Sequence, residues 1–244
     1  MPAFDYVGLP LPIPETMRGA QRRAWERLAA PGAWWTGAEK VAIAAEVRAA
    51  RACPLCQERK AALSPHAVAG EHAASDALPA AAVEAAHRIA SDPGRLTRAW
   101  YEKTLAAGLS DAHYVELLGV VITIVNLDAL HRGLGVAPEP LPVPSAGEPS
   151  RARPPTADGS AWVPMLALDS AEGRALFEGR PRVPNVARAL SLVPDAVRQM
   201  RELSDVHYLP IDDVIDPRAR MRGLSRPQME LIAGRVSALN ECFY

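Results

Sequence analysis

Aromatic residues make up only 5% of the 244 positions, and there are only three cysteines. With few aromatics and no sustained alternation of apolar and polar residues, the chain has little from which to build half-buried strands, so helices are expected to dominate. Three cysteines do not make an even disulfide framework, and 49% hydrophobic content over this length suffices for a core without one. An excess of one charge is missing too. The 27 Lys and Arg stand against 28 Asp and Glu, the net charge is -1, and the basic residues form no stripe, which argues against nucleic acid as a partner. The longest apolar run, residues 115–127, is broken by Glu116, Gly119, Thr123 and Asn126. It spans about 13 residues, short of the roughly 20 a membrane helix needs, so it reads as a buried helix and no membrane partner is expected. The opening Met1-Pro2-Ala3-Phe4-Asp5 lacks the basic and apolar pattern of a secretory signal, which makes the cytoplasm the expected compartment. A nucleotide fingerprint is also absent: Gly133-Leu134-Gly135 is too short a match and follows a helix, so no organic cofactor is expected.

What is present is mostly alanine-rich helix. Periodicity and caps predict helices over 14–30, 36–52, 54–63, 79–91, 95–107 and 110–134, the last with Ser110 and Asp111 at its start. Residues 137–161 hold seven prolines with Ser, Gly and Arg, a composition suited to an extended linker. It divides the chain into a helical domain at 1–136 and a second helical region at 162–244, with helices expected at 184–190, 194–204 and 225–240. The two parts share a pattern. Thr36 with Glu39 and Ser225 with Gln228 are both capping boxes, each 17 residues before a cysteine, Cys53 and Cys242. In that register Ile43 aligns with Ile232, Ala44 with Ala233 and Val47 with Val236, which suggests a duplication.

The chemistry-bearing motif is Cys53-Pro54-Leu55-Cys56. A spacing of three puts both sulfurs on one face of a helix, close enough to form a disulfide with modest adjustment. Pro54 suits a helix start, where free amides and the helix dipole lower a thiol pKa. A thiolate formed there could attack a peroxide or a disulfide. Two other readings compete: buried packing cysteines, and zinc held by Cys53-x2-Cys56-x9-His66-x5-His72, at a spacing shorter than a zinc finger's. Glu39 reads as a capping residue, Glu46 and Glu58 as solvated helix faces, and His87, His113 and His207 show no paired motif.

The segment from Leu224 to Tyr244, LSRPQMELIAGRVSALNECFY, resembles the helix before the active site in alkylhydroperoxidase D-like proteins of the carboxymuconolactone decarboxylase superfamily. That family places a Glu twelve residues before the first Cys of a C-x-x-C and a His four after the second; Glu230 and Cys242 match the first spacing. Gly108-Leu109-Ser110-Asp111, with Glu116, Asn126, His131 and Arg132, resembles the family's later helix. The resemblance implies an all-α helical bundle, duplicated with an incomplete second copy, that assembles as a homo-oligomer. It implies a thiol-dependent peroxide or disulfide reductase supplied by an external thiol electron donor, with Cys56 attacking and Cys53 resolving. Catalytic residues would be Cys53, Cys56, Glu230 and Cys242, without a bound metal or cofactor. The first site departs from the pattern, with Val41 at the Glu position and Lys60 at the His position. At the second, the chain ends one residue before the next cysteine is due. Some family members carry selenocysteine in the motif, and a UGA codon read as a stop would end the chain there, so a shortened C-x-x-Sec protein is one expectation. A non-catalytic scaffold is the alternative from another class, and a decarboxylase-type lyase fits less well, because that chemistry has no use for a C-x-x-C.

Overall fold

The computed structural model describes residues 3–73, 76–157, 161–180, 182–214 and 216–239. Helix accounts for 56% of it and strand for 4%, so the fold is all-α. Six helices form the first part: α1 Glu15–Ala29, α2 Gly37–Ala49, α3 Pro54–Ala61, α4 Ala80–Ser91, α5 Arg98–Ala106 and α6 Asp111–Leu134. The second part contains α7 Ala171–Leu176, α8 Asn185–Arg188, α9 Pro194–His207, α10 Ile211–Val214 and α11 Arg226–Leu239. Two antiparallel ladders of two residues each, Thr156–Ala157 with Met165–Leu166 and Arg220–Met221 with Leu224–Ser225, supply the strand.

Local chemistry sets the helix ends. At α2 the capping box is complete: the Glu39 amide donates to Thr36 Oγ1 at 3.2 Å and the Thr36 amide donates to Glu39 Oε2 at 2.8 Å. Ser110 Oγ accepts from the His113 amide at the start of α6. That helix stops at Gly135, whose φ of +71° is the left-handed conformation glycine adopts without a Cβ penalty.

Helix α6 packs against α2, α4 and α9, and α1 against α2 and α9. By length and composition α6 could cross a membrane, yet Val115, Leu117, Val120, Val121, Ile124 and Leu127 are all buried against other helices. Fully buried Ala82, Ala85 and Ala86 give α4 a smooth side that sits close to its neighbours. Arg48 on α2 donates two hydrogen bonds to Asp128 on α6, at 2.9 and 2.8 Å, so the pairing is bidentate. Glu202 on α9 accepts from Arg23 and Arg27 on α1.

The proline-rich segment carries no helix among its described residues and is tied along the helices. Ser145, Ser150 and Arg151 amides donate to the carbonyls of Ala29, Gly32 and Ala33, and Arg153 pairs with Asp111 at 2.7 Å. Beyond it, Leu192, Val193, Val197 and Leu203 join the same hydrophobic cluster as Ile43, Val47 and Ile124. Helix α11 differs from its sequence counterpart: Ile232 and Val236 are 53% and 51% exposed, whereas Ile43 and Val47 are 0% and 3% exposed.

Candidate thiol and imidazole site

Cys53 is the N-cap of α3, and Pro54 takes the first helical position, where its missing N–H has no partner to lose. Cys56 follows within the first turn, and both cysteines are free thiols, 8% and 2% exposed. Together with Ala50 and Leu55 they form a small hydrophobic cluster apart from the main core. At the other end of α3, Arg95 donates to the carbonyls of Lys60 and Ala62, which fixes the helix C-terminus.

The segment after α3 folds back over it. Gly70 lies so close to Leu55 that an added Cβ would sit 2.8 Å from Cδ1, and this close passage delivers His72 to the sulfurs. His72 Nδ1 lies 3.3 Å from Cys53 Sγ and 3.9 Å from Cys56 Sγ. From α4, His87 places its Nδ1 3.3 Å from Cys56 Sγ. Each ring uses its other nitrogen on a carboxylate: His72 Nε2 lies 2.9 Å from Glu84, and His87 Nε2 2.9 Å from Glu46. Glu84 also accepts from Arg59 at 2.9 Å.

Burial and hydrogen bonding act in opposite directions here, and hydrogen bonding wins. Burial disfavours the Cys56 thiolate, but contacts with His72 and His87 outweigh it and bring the pKa down to about 6. Cys53 is lowered as well, its contact with His72 prevailing over burial. The rings move the other way. Burial would strip the proton from His72, but Cys56, Glu84 and Cys53 retain it and raise the pKa to about 10; His87 is raised by Cys56 and Glu46 against the same penalty. Glu84, despite burial, is held down at about 2 by His72 and Arg59.

Three sequence expectations need correction. Glu46 is a buried partner of His87, not a solvated residue. His87, given no role from sequence, faces Cys56. His66 is exposed and bonds to the Arg95 carbonyl, so it does not belong with the two cysteines. Its proximity in sequence was misleading because the chain turns between His66 and His72. Lys60 and Glu58 are exposed, and Glu39 caps α2. Glu230 on α11 is exposed; it accepts from Tyr208 and pairs with Arg226 at 2.5 Å, apart from the residues around the thiols. Cys242 lies outside the described residues. One sequence signal for His87 existed: it stands among Ala85, Ala86 and Ile89 on an apolar stretch, three residues after Glu84.

The fold and site define an all-helical protein with a buried dithiol flanked by two carboxylate-backed imidazoles. Compared with known proteins, the chain matches no family model, no curated protein and no solved structure.

Proposed function

We propose that Cys53 and Cys56 are a redox-active dithiol that reduces a peroxide, with an external thiol restoring the reduced pair. The observation that carries this reading is the Cys56–His87–Glu46 chain, with sulfur and ring nitrogen 3.3 Å apart and ring and carboxylate 2.9 Å apart, beside a second thiol on the same turn. A nucleophile, a base and a group orienting the base are the parts covalent catalysis needs. Cys56 is the better attacker because two imidazoles contact it. Its thiolate attacks the distal oxygen of the hydroperoxide, the S–O bond of a sulfenic acid forms as the O–O bond breaks, and the departing alkoxide takes a proton from His87. Cys53 then attacks the resulting sulfenic acid; an S–S bond forms and the hydroxyl leaves as water with a proton from His72. Both thiols being buried favours a small hydroperoxide over a protein disulfide.

The test uses metal-free, reduced protein and a hydroperoxide, with thiols counted by mass spectrometry. Wild type is expected to lose two thiols as one disulfide and recover them with dithiothreitol. Cys56→Ser should consume no peroxide, and Cys53→Ser should stop at a sulfenic acid trapped by dimedone. If wild type keeps both thiols, or Cys56→Ser consumes peroxide at the wild-type rate, the reading fails and a scaffold role takes its place.

A further inference from the structure

Two imidazoles face the sulfurs, both through Nδ1 and both backed by a carboxylate on the other ring nitrogen. We propose that the reduced site binds one Zn(II) ion through Cys53 Sγ, Cys56 Sγ, His72 Nδ1 and His87 Nδ1. The ligand atoms of these four residues all lie within 4.8 Å of one another. Their sulfur–nitrogen separations of 3.3, 3.9 and 3.3 Å bracket the edge of roughly 3.5 Å that Zn–S of about 2.3 Å and Zn–N of about 2.0 Å impose on a tetrahedron.

Electrostatics point the same way. The two rings lie side by side, tilted by 36° with centroids 4.0 Å apart. With Zn(II) bound both rings are neutral: each gives its Nδ1 lone pair to the metal and its Nε2 proton to Glu84 or Glu46, and the two thiolates cancel the charge of the ion. A carboxylate on the far nitrogen of a ligating histidine is the usual means of fixing its tautomer and orientation. Two sulfurs and two nitrogens without oxygen suit zinc and exclude magnesium and calcium. Four protein ligands leave no open coordination position, so the ion is structural and not hydrolytic. It ties the start of α3, the loop carrying His72 and α4 into one unit, with α2 joined through Glu46.

One consequence rests on the peroxide reading above. When the dithiol is oxidised, the two thiolates give up one electron each and form the S–S bond. The hydroperoxide O–O bond takes those two electrons and two protons from solvent, giving an alcohol and water. Zn(II), left with two neutral imidazoles, leaves the site.

Titration of the reduced, metal-stripped wild-type chain with Co(II), followed by absorption, tests the site without relying on a variant. Expected are saturation at one equivalent, the intense visible bands of tetrahedral cobalt and a thiolate charge-transfer band, all lost on addition of equimolar Zn(II). His66→Ala should retain this spectrum and His87→Ala should lose it. A weak octahedral spectrum or no saturable binding overturns the site; dependence on His66 but not on His87 overturns the ligand set. Peroxide is then added to the zinc-loaded protein in the presence of a chromophoric chelator. Release of one equivalent of zinc with disulfide formation supports the coupled step, and retention of zinc overturns it. If zinc binds while peroxide leaves both thiols reduced in the metal-free protein, the redox reading falls and the zinc assignment stands.

Discussion

Glu46 shows how a single carboxylate changes meaning with burial. Placed on a solvated helix face it would be dispensable; against His87, with both side chains buried, it holds the ring that faces Cys56. Removing one partner of such a pair leaves the other polar group buried and unsatisfied. Glu46→Ala is expected to cost on the order of 3 kcal/mol in urea denaturation, and Glu46→Gln, which keeps an acceptor, about 1 kcal/mol. Equal and small losses would show that the charge is not used. The cysteine pair was legible because its geometry is set within one helical turn. His87 and Glu46 were not, because His87 is separated by 31 residues from Cys56 and by 41 from Glu46, and only the packing of α2 against α4 brings the two together.

Helices α2 and α11 share a sequence pattern and differ in surroundings. The cap and apolar register of α2 are followed by burial of Ile43 and Val47, and its end leads directly into Cys53. In α11 the Ser225 amide and hydroxyl donate to Gln228 Oε1 at 2.9 and 3.0 Å, and the apolar face is exposed. Thr36→Ala is therefore expected to lower stability by about 1 kcal/mol, read as a drop in Tm, while Ser225→Ala should leave the global transition unchanged. A larger effect from Ser225→Ala would mean that α11 is coupled to the core. Caps made α2 and α6 readable in advance. The two short ladders were not, since two residues per strand are too few to show any alternation. Helix α8 is shorter than the expected 184–190, spanning Asn185–Arg188, and the Leu190 and Leu192 that follow it are buried.

At the scale of the molecule, α1, α6 and α9 are joined by a polar chain. Tyr6 donates to Gln21 at 2.9 Å, Gln21 lies 3.0 Å from His207, and His207 bonds to Asn126. Burial, reinforced by Arg222 and His131, lowers the His207 pKa from 6.5 to about 4. Below pH 6.5 the unfolded chain takes up a proton that the folded one refuses, so this contribution is complete above that pH and is lost as pH falls toward 4. The loss amounts to about 3 kcal/mol, and His207→Gln should flatten that part of the curve of urea midpoint against pH; an unchanged curve would mean that other groups carry the acid sensitivity. Sequence alone determined the helical class, the principal helix starts and the paired thiols, because capping bonds, periodicity and an i,i+3 spacing act within a few residues. Tertiary structure decided which histidines meet those thiols, which glutamate is buried behind them and which of two similar helices hides its apolar face. Those outcomes depend on where distant helices cross, and burial, which sets both pKa and metal affinity, exists only once they have crossed.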